Sequence, residues 1–213
     1  VVRARRAVVL AAADYANAPD MIARFRGPQF SVVEGINPFS TGDGHRLAEQ
    51  AGARMVNMSI TYGPELRFIA PPRDGFEQLL PSRGVAMKLM GRLLPLVPNA
   101  AIHWMIKRLL VTWQHPENAI LEEGAVLLNR HGQRFCDETD SPAREIAVAR
   151  QPDKVAFLLL DQRLIERYSR WPHFISTAPE IAYAYVADYL RLRPDVAVEG
   201  PSLEAVAAAR GLP

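Results

Sequence analysis

Residues 119–138, AILEEGAVLLNRHGQRFCDE, restrict local structure more than any other stretch of the chain. Ala125 to Leu128 form an apolar run, Asn129 to Gln133 a polar turn, and Phe135 and Cys136 a second apolar step before the acidic pair Asp137 and Glu138. Asn and Gly supply the backbone conformations that a tight reversal needs. The stretch reads as a β-hairpin.

The other elements mix helix and strand. Residues 6–13 are continuously apolar, as in a strand buried on both faces. Asn17, Pro19 and Asp20 start a helix that MIARFR continues. Residues 27–40 read as a Gly/Pro-rich loop. Thr41 is placed to cap a helix from about Gly44 to Ala51, closed by Gly52. Residues 54–62 alternate as a strand, and 64–84 read as loop. Residues 85–113 form two short amphipathic helices broken by Pro95 and Pro98, expected to pack on the chain's own core, with a hydrophobic pocket or a membrane surface as the other surfaces they could cover. Residues 155–160 read as a strand ending at Asp161, and 179–191 as a helix with Ala and Tyr along one face. Ser202 caps a last helix to Arg210, stopped by Gly211. The expectation is an α+β fold with a boundary near residue 60.

Composition excludes several classes. The 213 residues carry a net charge of +2 with Arg scattered along the chain, so nothing marks a nucleic-acid surface. The single cysteine, Cys136, allows no internal disulfide and suits a reducing, cytoplasmic setting. No apolar stretch reaches the ~18 residues of a transmembrane helix. No signal peptide precedes the first strand, and no G-x-G-x-x-G follows one, so the dinucleotide fingerprint is absent. His45, His103, His115, His131 and His173 show no metal spacing, and no Ser/His/Asp arrangement emerges.

One segment carries ligand chemistry on its own residues. Thr41-Gly42-Asp43-Gly44 sets a hydroxyl, two glycines and a carboxylate at a helix start. Glycines let a ligand approach the backbone, the first-turn amides favour a polar or anionic edge, and the carboxylate accepts hydrogen bonds. Simple helix capping is the alternative.

Four segments, in order, resemble the fumarate reductase and succinate dehydrogenase flavoprotein family, and within it the FAD-dependent 3-ketosteroid dehydrogenase branch. They are RAVVLAAADY at 6–15, TGDGHRLAEQAGA at 41–53, the hairpin pattern G-x-x-L-L-N-x-x-G-x-R-F-x-x-E, and the end of the chain from residue 177. The resemblance leaves a gap at about residues 65–115. It implies an internal part of a longer FAD enzyme, with residues 1–60 a partial FAD-binding domain and 61–213 a cap that faces the substrate. It implies a flavin contact for Asp43, with Thr41, Gly42 and Gly44 beside it. Ala13 and Asp14 stand where the family usually has Gly-Gly, which alters that contact; some branches carry Asp at the position of Asp14. Arg144, followed by Glu145, resembles the family's Arg-acid pair that delivers a proton to the substrate, with Arg150 as fallback; a solvated or salt-bridged helical Arg is the alternative. The His-Pro-Thr and Thr-Glu of the dicarboxylate enzymes are missing, so a small apolar or steroid-like substrate is expected, with Tyr62 toward it or, alternatively, in the core. The remaining flavin-domain segments would be partners. The rival reading is a non-catalytic binding or interaction domain.

Overall fold

The computed structural model describes residues 4–71 and 83–213. The architecture is α+β, with short helices and two small antiparallel sheets. The chain divides into two compact units: Val1–Glu65 with Asp140–Ala156, and Leu66–Thr139 with Phe157–Pro213. The first unit therefore runs past residue 60 and takes in a later segment as well.

In unit 1, α1 (Pro19–Phe25) begins with Pro at its first turn, Asp20 beside it and Arg24 in its last turn. Each choice agrees with the free amides, fixed φ or dipole at that end. The helix α2 (Asp43–Gln50) starts from Gly42, and no side chain caps it. Thr41 is thus not the cap expected; its carbonyl instead accepts from Arg46 Nη1 at 3.3 Å. Two surface ion pairs tie the helices together, Arg46 with Asp20 and Arg24 with Glu49. The core beneath them is Tyr15, Ala18 and Met21, packed on by Ile22, Phe25, Met55 and Met58. The third helix of this unit, α6 (Ala143–Ala149), comes from the later segment.

Neither strand expected in this unit forms. Residues 6–13 pair with nothing among the described residues, and Val8, Val9 and Leu10 are exposed. A strand apolar on both faces needs neighbours on both edges, and this unit supplies none. Residues 54–62 are broken at Asn57, whose φ of 58° ends any extended run, and a turn from Asn57 to Ile60 follows.

Unit 2 holds the sheets. The prolines do break its first stretch into two helices, α3 (Gly84–Leu93) and α4 (Asn99–Trp113). Leu110 and Val111 of α4 enter the core, with Ile120 and Leu121 of α5 (Asn118–Glu122). In contrast, α3 does not pack on the core as expected: its side chains of known burial are exposed apart from half-buried Met90. The strand β1 (Val126–Leu128) pairs antiparallel with β2 (Phe157–Leu159), with Leu127 opposite Leu158.

The hairpin at 119–138 forms only in part. Asn129 Oδ1 accepts from the amides of His131 and Gln133, which closes the turn. One bridge, Leu128 to Arg134, follows. Beyond it the Leu127 amide donates to the Glu138 carboxylate at 2.9 Å instead of to a return strand.

Residues 179–185 are also not helical. They complete a second hairpin, β3 (Ser176–Ala178) with β4 (Ala182–Ala184), and only then does α8 (Val186–Leu192) begin. The Ala-Tyr-Ala-Tyr alternation has a period of two, that of a strand. Asp161 caps α7 (Gln162–Arg167), accepting from the Leu164 amide. As the sequence indicates, Ser202 caps α9 (Leu203–Arg210), which ends at Gly211 in the left-handed region.

Candidate functional site

The expected ligand-contacting segments lie side by side in unit 1. The Gly42 amide donates to the Asp14 carbonyl at 3.1 Å, and the Asn17 amide to the Ser40 carbonyl at 2.8 Å. Asp14 turns its own side chain inward along the chain, accepting from the Ala16 amide at 2.8 Å. These bonds lay the loop after residues 6–12 against the entry to α2. A side chain at Gly42 would be strained: φ is 77°, and a Cβ would come 2.3 Å from Met21 Sδ, which would have to shift. A Cβ on Gly44 would meet that of Ala12 at 2.9 Å. Small residues therefore set this approach on both sides.

The result is a narrow, open edge. Ala13, Asp14 and Asp43 are exposed, Thr41 is half-buried, and Gly42 and Gly44 are buried. Ala13 has a φ of 57°, a conformation that glycine takes without cost. His45, on the first turn of α2, packs edge-on to Tyr15 with ring centroids 5.4 Å apart. Its Nδ1 is buried and has no hydrogen-bond partner. The Tyr15 hydroxyl donates to the Met58 carbonyl. These small residues, the exposed carboxylate and the first-turn amides fit one polar edge of a flat cofactor.

Arg144 is buried, which excludes a solvated surface charge. Its Nε donates to Glu145 Oε1 at 2.8 Å, and Nη2 donates to the same oxygen. Glu145 is buried as well, and its Oε2 has no hydrogen-bond partner. Two adjacent residues of α6 thus form a buried pair with a spare acceptor. Arg150, at the end of α6, is exposed. Tyr62 is not a core residue: it is 92% exposed on a loop.

Among the described residues unit 2 buries three charges for which the sequence indicates no role, Glu138, Asp188 and Arg193. Glu138 accepts from the Leu127 amide and from Arg134 Nε and Nη2, the last at 2.5 Å. Burial alone would raise its pKa, but these hydrogen bonds outweigh it and hold the carboxyl below its ordinary value. Arg193 donates to the carbonyls of Ile69, Val111 and Thr112 and pairs with Asp195. The spacing Arg-Pro-Asp at 193–195 carries no signal for this; only the tertiary fold brings those carbonyls together. The Tyr189 hydroxyl meets Ser176 Oγ at 2.8 Å, and burial pushes the phenol up to about 12. An open groove of about 450 Å³ is lined by Arg163, Arg167, Trp171 and His173, and none of the expected site residues lines it. Among the described residues no group of three or more His, Cys, Asp or Glu is placed to hold a metal ion.

No family model matches the chain, and no curated protein does. Among solved structures the chain is similar to the open conformation of a flavocytochrome c3 fumarate reductase, with a TM-score of 0.52 and 19% identity. The fold is fumarate reductase-like. The similarity covers 97% of this chain and 27% of that protein, so the chain spans about a quarter of its length. In this fumarate reductase-like fold both the segment at 6–15 and the one at 41–53 belong to unit 1, in hydrogen-bond contact. The likeness is one of fold, and the chemistry of the site rests on the residues.

Proposed function

We propose that this chain is part of an FAD-dependent oxidoreductase that exchanges a hydride between flavin and a carbon–carbon bond conjugated to a carbonyl, as in ketosteroid-type dehydrogenation or enoate reduction. The observation that carries the reading is the junction of Asp14 and Gly42, which sets Asp43 and the first turn of α2 at an open edge within a fumarate reductase-like fold. The dinucleotide fingerprint would come from further flavin-domain segments that work with this chain. FAD, when bound, supplies the hydride chemistry.

The chain's own residues hold and protonate. Gly42 and Gly44 permit close approach, Thr41 and the first-turn amides offer donors, and Asp43 accepts hydrogen bonds; Ala13 and Asp14 line the same edge. In the reductive direction Arg144, held by Glu145, gives a proton to the carbon next to the one that takes up hydride; dehydrogenation reverses the transfer. Arginine's intrinsic pKa exceeds about 12, so this needs the carboxylate beside it. Exposed Tyr62 would meet a small apolar or steroid-like substrate from the loop. The setting proposed is the cytoplasm.

The test uses the full-length protein. Asp43→Ala should weaken flavin binding roughly ten- to hundredfold, the value of one hydrogen bond to a charged group. Arg144→Lys should retain flavin while slowing its reduction by substrate on the order of 10²-fold. Unchanged flavin affinity in the first variant would leave Asp43 as nothing more than a first-turn acid of α2.

A further inference from the structure

We propose that α3 and the outer face of α4 form a docking surface for an anionic lipid bilayer, lying in its interface. The inference goes beyond the oxidoreductase reading and does not depend on it. Residues 83–113 contain Arg83, Lys88, Arg92, Lys107 and Arg108 and no Asp or Glu. Lys107 is turned inward to Asp188 at 2.8 Å, whereas Lys88 and Arg92 are exposed. The apolar side chains around them also face solvent: Val85 is 82% exposed, Leu96 77% and Trp104 57%, with Met87, Leu89 and Leu93 about half exposed. Arg108 sits over the Trp104 ring at 5.0 Å, so a cation and an amphipathic ring share one spot.

A ten-residue helix with apolar side chains exposed around its circumference gains nothing from water. Cations among exposed Leu, Val and Trp match an interface with acyl chains below and negative headgroups above. A second copy of this chain fits less well, because a two-fold contact would set the cations of one α3 against those of the other. No helix among the described residues is long and apolar enough to cross a membrane, so the contact is with one surface.

The experiment is co-sedimentation of the purified full-length protein with vesicles. Binding is expected to vesicles of equal phosphatidylcholine and phosphatidylglycerol, and much less to pure phosphatidylcholine, with release by salt. Lys88→Gln with Arg92→Gln should lower the partition coefficient on the order of 25-fold, about fivefold per cation. Leu93→Asn with Leu96→Asn should lower it by a similar order without restoring it at low salt. All four positions lie on α3 or just after it, and circular dichroism checks that each variant folds. Absence of binding to the anionic vesicles, binding by either variant equal to that of the wild type, or a stable dimer that buries this face would overturn the proposal.

Discussion

A single backbone angle at residue 13 has a measurable cost. Ala13 adopts a φ of 57°, where an L side chain is strained by about 1–2 kcal/mol. Glycine would relieve this and lose about 0.5–1 kcal/mol to greater freedom in the unfolded chain. Ala13→Gly is therefore expected to be neutral or stabilising by up to about 1 kcal/mol, opposite to the usual effect of that change, and urea unfolding measures it. Glu138 gives a pH signature. Its folded pKa lies below the ordinary 4.5, so its stabilisation is complete above that value and is lost as pH falls through the folded pKa. Glu138→Gln should cost about 1.5–3 kcal/mol at neutral pH and flatten the fall in urea midpoint below pH ~4.5. A variant whose midpoint falls in parallel with the wild type would remove Glu138 from that dependence.

At the scale of elements, the bonds of Arg193 decide how unit 2 is closed. One side chain just past α8 binds the carbonyls at the end of α4 and that of Ile69, which is 124 positions away. Arg193→Met would leave three carbonyls and Asp195 without their donor. A loss of about 3–5 kcal/mol is expected, with Arg193→Lys recovering only part because an ammonium lacks the planar fork. Exposed Arg191→Ala, two residues earlier on α8, should change stability by no more than about 0.5 kcal/mol. Elements with local signals were legible in the sequence. Pro19 and Asp20 start α1, Ser202 and Gly211 bound α9, and the prolines at 95 and 98 separate α3 from α4. Elements that depend on distant partners were not. Residues 6–13 have the composition of a buried strand but no neighbours; the apolar run at 155–160 marks β2 as a strand, but no local pattern makes it the partner of β1 across α6. At the site, the T-G-D-G segment announced itself through its residue types, whereas the burial of Arg144 and Glu145 follows from packing that no spacing encodes.

For the whole molecule, the interleaving of the two units governs the order in which they can be completed. Unit 1 gathers its core from residues 15–58 and is completed by Asp140–Ala156, which brings α6 and the surface Glu34–Lys154 pair across 120 positions. Unit 2 waits for Phe157 and beyond, because β1 has no ladder until β2 arrives. Closing a loop the length of Leu66–Thr139 costs on the order of 4 kcal/mol, a cost met only when the late segment docks. During synthesis, then, the core of unit 1 can gather within the first 58 residues, whereas unit 2 stays unsealed until β2 has left the ribosome, and the apolar surfaces of α4 and β1 stay open to chaperones until then.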